Sequence, residues 1–299
     1  MDFKHSSRKA WSQLRKLGAA NPCAATKPAI SPNSIAAHIV SLSKVESDKN
    51  FTSSVNQKLK QTTSKTPKNS SYSRPFSVEE GKIGLSSMKN GTAAGVDGIY
   101  AEFLTFSGPR VNKWLALFYT DIITSGKLPK SFKKAKILAL QKPKKPSDDP
   151  KSYRPIALLS VCLKLLERLI LNRIGPEIDK VIPQEQAGFR PSRSCTDQVL
   201  ALTNYVQDGF QNHLKSAVTF VDLTAAYDTV WKKGLILKLL KVIPCLKIAD
   251  IICAILSDRL INVHLNEKVS KTRKLNNGLP QGSVLAPTLF NLYIHDLPC

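Results

Sequence analysis

Ala217-Val218-Thr219-Phe220-Val221-Asp222-Leu223-Thr224-Ala225-Ala226-Tyr227-Asp228 is the stretch on which the reading of this 299-residue chain turns. Four of the five residues from Ala217 to Val221 are apolar, and Val218, Thr219 and Val221 are β-branched. That composition suits a buried strand better than a helix. A carboxylate, Asp222, follows where such a strand would leave its sheet. Beyond it Trp231, Leu235, Leu239 and Val242 recur at helical spacing, which predicts a helix starting near Tyr227. Two readings of Asp222 stand side by side. One is an acid capping backbone N–H groups in a strand-to-helix turn. The other is an acid held at a strand end and aimed into a cleft to bind a metal ion.

A second stretch bears on the choice. Asn277-Gly278-Leu279-Pro280-Gln281-Gly282-Ser283-Val284-Leu285-Ala286-Pro287 runs on into Thr288-Leu289-Phe290-Asn291-Leu292-Tyr293-Ile294-His295-Asp296-Leu297. Two glycines and a proline predict a tight, exposed turn, and Pro287 fits the first turn of a following helix. Glycines allow close approach by a ligand, and helix-start N–H groups favour anions such as phosphate. A Walker loop is excluded, because no Lys-Ser or Lys-Thr follows the glycines.

Taken together, these stretches resemble a known family. Phe220-Val221-Asp222…Ala226-Tyr227-Asp228 resembles the first catalytic motif of reverse transcriptases, and Gly278-Leu279-Pro280-Gln281-Gly282-Ser283 resembles their nucleotide-pocket motif. The continuation Leu289-Phe290-Asn291-Leu292-Tyr293-Ile294 and Asp296-Leu297-Pro298 is similar to that of non-LTR retrotransposons, jockey-like elements in particular. The resemblance spans residues 77 to 299 and implies an α+β right-hand polymerase, with fingers and part of a palm, behind a helical or disordered N-terminal segment.

The composition fits a polyanionic partner. Lys and Arg number 44 against 22 Asp and Glu, a formal charge of +22. Nucleic acid is the default partner for such a balance, and an acidic membrane surface the alternative. No apolar run approaches the roughly 18 residues of a spanning helix, and the start lacks the apolar core of a signal peptide. The expectation is an intracellular protein of the nucleus or cytoplasm, with no membrane partner. Cysteines at 23, 162, 195, 245, 253 and 299 include no C-x-x-C pair and read as reduced, structural thiols. The five histidines are scattered and outline no zinc site.

Along the chain, residues 1–75 read as an N-terminal segment and 76–299 as the polymerase domain. Ser7 is placed to cap a short helix carrying Trp11, Leu14 and Leu17 up to Gly18, and a second helix is expected through Ile35, Ile39, Val40 and Leu42. From Glu46 to Ser73 the composition falls to Ser, Thr, Lys, Asn and Gln, which reads as a linker. Ser77 and Glu80 form an S-x-x-E capping box, with the helix expected to end at Asn90-Gly91. Thr92-Ala93-Ala94-Gly95-Val96-Asp97-Gly98-Ile99 resembles the opening motif of retrotransposon polymerases, with Val96 where proline is usual. Trp114, Leu117, Phe118 and Ile122 mark a helix closed by Gly126 and Pro129.

Ten basic residues and two acids lie between Lys127 and Arg154. Within this segment come a strand-like Ile137-Leu138-Ala139-Leu140, then Gln141-Lys142-Pro143-Lys144-Lys145-Pro146, then Ser152-Tyr153-Arg154-Pro155-Ile156. A solvated basic loop and a nuclear-localisation patch are plain readings of the lysines. The order also matches the fingers hairpin of reverse transcriptases. That resemblance implies that Lys142 and Arg154 hold the triphosphate of the incoming nucleotide, with Lys144 and Lys145 on nucleic acid nearby. Leu158, Val161, Leu165, Leu169 with Cys162, Leu166, Ile170 define a core helix. Gln184-Glu185-Gln186-Ala187-Gly188-Phe189-Arg190-Pro191 resembles the family's Q-x-G-F-R motif, which implies template phosphates at Arg190 and Arg193. Thr196 and Asp197 open a helix with Val199, Leu202, Val206 and Phe210.

What the resemblance implies for the site is an RNA-directed DNA polymerase that extends a DNA primer on an RNA template with deoxynucleoside triphosphates. Two Mg²⁺ ions roughly 3.5–4 Å apart activate the 3′-hydroxyl and stabilise the leaving pyrophosphate, and Mg²⁺ takes hard oxygen ligands. Asp222 would bridge the ions and the Leu223 carbonyl assist. Tyr227, where most relatives carry Phe, would sit under the sugar and exclude a 2′-hydroxyl. Gln281 and Gly282 would shape the pocket near base and template. The family's other two carboxylates belong to a Tyr/Phe-x-Asp-Asp hairpin not met before Cys299. The expectation is therefore a domain truncated before that motif, inactive as it stands, and Asp148-Asp149, between prolines, is no substitute. A non-catalytic nucleic-acid-binding remnant of such an element is the alternative.

Overall fold

Apolar periods of two and of 3.6 alternate along the chain. The structure, a computed structural model describing residues 30–44 and 48–297, turns them into helices around one small mixed sheet. β1 (Lys134–Gln141) runs antiparallel to β2 (Tyr153–Leu158) and parallel to β3 (Arg259–Leu265). β4 (Lys268–Val269) and β5 (Arg273–Leu275) both pair antiparallel with β3. The pleat sorts side chains by alternation. Ala135, Ile137 and Ala139 of β1 are buried with Ala157 of β2 and Ile261, Val263 and Leu265 of β3. On the open face Leu140 lies opposite Arg154, both exposed. The strand and basic hairpin expected over 137–156 thus form.

Helices close over the buried face. α1 (Pro32–Leu42) is capped by the Ser31 hydroxyl and buries Ile35, Ala36 and Ile39 against β3 and β5. α2 (Lys49–Lys65) starts at Asp48, whose carboxylate accepts the Asn50 and Phe51 N–H groups. The linker expected over 46–73 is thereby corrected. Its polar composition conceals one apolar stripe, with Val55 buried and the Phe51 ring 5.9 Å from Trp231, the residue just before the neighbouring helix. A narrow stripe suffices when a helix has one neighbour. The helix expected over Ser7–Gly18 lies outside the described residues.

α3 (Val78–Ser86) has the expected capping box, and ends a few residues earlier than Asn90-Gly91. α4 (Ala101–Thr105) leads to α5 (Pro109–Ser125), closed by Gly126. Its buried face is Leu115, Ala116, Tyr119, Ile122 and Ile123, while Trp114 and Leu117 stay exposed. α6 (Val161–Val181) is the central helix, with Leu165, Leu166, Leu169, Ile170, Ile174 and Ile178 all sealed from solvent. α7 (Cys195–Gln211) forms with a Ser194–Asp197 capping box, yet buries none of its residues. α8 (Lys232–Val242), α9 (Leu246–Leu256) and α10 (Ala286–Ile294) complete the layer, and Pro287 sits in the first turn of α10 as expected.

One correction concerns the opening stretch. The strand expected over Ala217–Val221 does not form, and Phe220 and Val221 are 86% and 84% exposed. A strand needs a neighbour to take up its N–H and C=O groups, and among the described residues none lies beside it. The helix expected from near Tyr227 starts instead at Lys232, after a run of turns over residues 224–229.

Candidate nucleotide site

The chain re-enters the body at Tyr227, and there the two motif stretches meet. The Tyr227 carbonyl accepts the Leu279 N–H at 2.8 Å, and the Val230 carbonyl accepts the Gly278 N–H at 3.0 Å. Gly278 has φ +79°, and a Cβ on it would lie 2.7 Å from the Asp228 carbonyl oxygen. Only glycine fits that backbone and that approach. Two residues on, the turn touches the sheet. The Ala157 N–H of β2 donates to the Gln281 carbonyl at 2.9 Å. Gly282, with φ +124°, lies so close that a Cβ would come within 2.5 Å of the Ala157 carbonyl oxygen.

Charged side chains fasten the same turn. Arg259 of β3, buried, donates its guanidinium to the Asn277 carbonyl and, at 2.8 Å, to the Gly278 carbonyl. Its Nε finds no partner within the described residues. Burial pulls the Arg259 pKa down to about 10, with the nearby Asp228 charge opposing the shift. Asp228 accepts the Gln281 Nε2–H at 3.5 Å. Burial raises the Asp228 pKa, and Arg259 and Gln281 pull it partly back. On the far side, the sealed Glu167 of α6 accepts the Ser283 hydroxyl and the Val284 N–H, both at 2.7 Å.

Tyr227 is half-buried in a cluster of rings, 5.1 Å from Phe290 and 6.4 Å from Phe189. Its hydroxyl is buried and finds no hydrogen-bond partner among the described residues. Gln281 and Gly282 are therefore brought to Tyr227 and to β2. Arg154 lies three residues before Ala157 on β2, about 10 Å along the strand, with its side chain on the open face. Lys142 donates Nζ to the Lys151 carbonyl at 2.8 Å, closing the hairpin. Lys144 and Lys145 stand exposed in the loop.

Arg190 is spent within the fold. It pairs with Asp179 at 2.8 Å and donates to the Pro183 carbonyl at 2.7 Å, while Arg193 is exposed. Asp222 and Leu223 are exposed ahead of the turn. Among the described residues no group of three His, Cys, Asp or Glu side chains could hold a metal ion. The carboxylates present do not by themselves fit a two-Mg²⁺ site. No helix among those residues is long and apolar enough to cross a membrane.

Reasoning from the sequence missed the parts of Arg259, Asp228 and Glu167. Glu167 left a signal. It lies on the same helical face as Leu163, Ile170 and Ile174, where periodicity calls for an apolar residue. Arg259 opens a strand whose Ile261, Val263 and Leu265 alternate with Asn262 and His264, a legible period of two.

Residues 142–299, more than half of the chain, match the reverse transcriptase (RNA-dependent DNA polymerase) family. The chain is 36% identical over 228 residues, 76% of its length, to a probable RNA-directed DNA polymerase from transposon BS of Drosophila melanogaster. It is 33% identical over 188 residues, 62% of its length, to the RNA-directed DNA polymerase from mobile element jockey of the same fly. The jockey polymerase of Drosophila funebris is 32% identical over 226 residues, 75% of the chain. The matched regions span 25%, 20% and 25% of those three proteins.

Proposed function

The chain belongs to the reverse transcriptase family, in its jockey-like non-LTR retrotransposon branch, and we propose that residues 76–299 are the fingers and part of the palm of an RNA-directed DNA polymerase. The observation that carries this is the Gly278–Ser283 turn, bonded at once to the Asp222-bearing stretch through Tyr227 and to the basic hairpin through Ala157. A nucleotide pocket needs those three parts together. β1 and β2 are the fingers hairpin. Arg154 meets the triphosphate by its fork of donors, and Lys142 joins it once its bond to Lys151 is released. Tyr227 packs beneath the sugar, where its ring leaves no room for a 2′-hydroxyl. Gln281 and Gly282 border the base. Template phosphates fall to Arg193, Lys144 and Lys145, since the donors of Arg190 are already taken up.

Mg²⁺ supplies activation of the 3′-hydroxyl and charge neutralisation in such enzymes. Residues 1–299 offer Asp222 to it, and that carboxylate alone does not hold two ions. Residues 1–299 alone should therefore show no primer extension above background on an RNA template. A chain carrying the Tyr/Phe-x-Asp-Asp hairpin and thumb as well should extend. In that longer chain Asp222→Asn should abolish synthesis and leave RNA binding intact, while the exposed Asp250→Asn serves as control. Equal losses at both positions, or robust synthesis by residues 1–299, would overturn this reading.

A further inference from the structure

Glu167 is a fully buried carboxylate on the central helix, and both its oxygens are spent on the nucleotide-pocket turn. Oε1 accepts the Ser283 hydroxyl and Oε2 the Val284 N–H, each at 2.7 Å. The Ser283 Oγ in turn accepts the N–H groups of Leu285 at 3.2 Å and Ala286 at 3.1 Å, so it takes up the first N–H of α10 and the one before it. A line of bonds thus runs from the carboxylate through a hydroxyl to a helix start. Every group facing Glu167 in that line is a donor. An ionised carboxylate satisfies both, whereas a protonated one would need an acceptor for its own hydrogen. Burial raises the Glu167 pKa to about 7, while Ser283, Val284 and the Lys164 charge hold it from rising further.

A sealed carboxylate is a poor way to stabilise a fold. Taking its charge out of water costs free energy that two hydrogen bonds from neutral donors only partly offset. Its value here lies in what it fixes. Ala157 holds the turn at Gln281, and Glu167 holds it two and three residues later, which leaves Gln281 and Gly282 no freedom between the clamps. We propose that Glu167 is a positioning residue of the nucleotide pocket, acting through Ser283 and Val284 to set Gln281 and Gly282 for the incoming nucleotide. The inference rests on the reading of Gly278–Ser283 as that pocket.

The test compares the whole chain with Glu167→Met, Glu167→Gln and Ser283→Ala. Three quantities are measured: urea stability, amide exchange at Val284, Leu285 and Ala286, and binding of a fluorescent dATP analogue beside an annealed RNA template and DNA primer. Glu167→Met should lower urea stability modestly, because the Ser283 hydroxyl and the Val284 N–H lose their acceptor. It should speed exchange at the three amides by about tenfold or more and weaken nucleotide binding by about tenfold, the fold-change that the net loss of about one hydrogen bond gives. Glu167→Gln, which can accept from only one of the two donors, should fall between. Ser283→Ala should speed exchange at Leu285 and Ala286 while Val284 keeps its bond to Glu167, and adding it to Glu167→Met should cost less nucleotide affinity than the sum of the two single changes. Unchanged exchange in Glu167→Met overturns the inference, as does exchange that rises only in step with a global loss of stability. Equal nucleotide affinity in wild type and Glu167→Met overturns it too. If the wild-type chain binds no nucleotide, the pocket reading falls first and the inference with it.

Discussion

Arg173 should be the costliest single surface-to-core clamp to remove. On α6, its side chain is 6% exposed and holds Glu80 by two bonds, at 2.8 and 3.0 Å. The same guanidinium donates to the carbonyls of Tyr72, Arg74 and Pro75, and stacks 3.9 Å from the Phe76 ring centre. It therefore ties the segment before α3 to the central helix. Arg173→Met keeps an apolar stem and removes every one of those donors. Burial raises the Glu80 pKa, but the Arg173 bonds, the Ser77 N–H and the nearby charges outweigh it and bring the value from 4.5 to about 2. That difference corresponds to roughly 3 kcal/mol at neutral pH, shared among Arg173, the Ser77 N–H and Arg74, the last two of which remain in the variant. Glu80 is 23% exposed, and solvent screening trims the figure to about 2–3 kcal/mol. The Tyr72, Arg74 and Pro75 carbonyls lose their donor as well, and truncating one partner of a buried pair costs about 3–5 kcal/mol, so a loss of about 3 kcal/mol is expected.

The sign with pH follows from a depressed carboxylate. The contribution is present in full above pH 4.5 and is lost as pH falls toward 2. By pH 3.5, about 1 kcal/mol of it should be gone. In urea titrations at pH 7, the variant should be about 3 kcal/mol less stable than wild type, with a melting temperature lower by roughly 6–12 °C. At pH 3.5 the gap between the two should have narrowed by about 1 kcal/mol. A loss under about 1 kcal/mol at pH 7 would refute the clamp. A gap that stays constant or widens on acidification would refute the assignment of its energy to Glu80.

Gly282→Ala should destabilise the chain by about 2–5 kcal/mol, from overpacking against Ala157 plus a backbone that L residues rarely adopt; thermal unfolding with a cost under about 1 kcal/mol would contradict the packing described. Tyr227→Phe removes a buried hydroxyl that has no partner among the described residues and should leave stability equal or up to about 1–2 kcal/mol higher, with sugar discrimination unchanged. Tyr227→Ala should cost about 2 kcal/mol, roughly half the figure for a fully buried ring, and in the longer, active chain should admit ribonucleotides, as side-by-side incorporation assays would show. RNA affinity should fall with salt by a log–log slope of about −0.7 per phosphate contacted. Neutralising Lys142, Lys144, Lys145 and Arg154 together should flatten it, and an unchanged slope would count against the basic hairpin as the contact.

Much of this was legible in the sequence because local signals and packing agree. The Ser77–Glu80 box, the Lys134–Leu158 hairpin, the core helix over 161–181 and the Pro287 helix start all form where pattern and capping put them. Other elements were not, for reasons of range. Residues 49–65 look like linker because a helix lying on a single neighbour needs few apolar positions. The strand expected over 217–221 has the right residues, but β propensity is a statement about partners, and the sequence alone does not say which partner is at hand. In the sequence Asp228 is only the last residue of the motif that Asp222 anchors. It becomes a buried acid only when Arg259 and Gln281, 31 and 53 positions away, fold against it.

The candidate site is accordingly in two states of readiness. Gly278 and Leu279 donate to the Val230 and Tyr227 carbonyls, Arg259 grips the Asn277 and Gly278 carbonyls, Ala157 holds Gln281, and Glu167 holds Ser283 and Val284. Fixing backbone costs about 1–2 kcal/mol per residue, and here neighbours meet that cost before any ligand arrives. A ligand that finds its pocket already formed loses no affinity to a minor population. The Asp222 stretch is the reverse, since no N–H group from Ala217 to Leu223 makes a hydrogen bond within the described residues. Amide exchange at pH 7 should divide the two. Val218 to Leu223 should exchange within about tenfold of free-peptide rates, as solvent-exposed backbone does. Gly278, Leu279 and Val284 should be slowed by roughly a hundredfold or more, as amides bonded inside a packed body are. Adding the Asp-Asp hairpin in cis should bring Val218 to Leu223 into the protected class, because that strand would then have the neighbour its β-branched residues call for. Protection of 218–223 in residues 1–299 alone, or none gained on adding the hairpin, would show that something other than a missing sheet partner keeps Asp222 out of a strand.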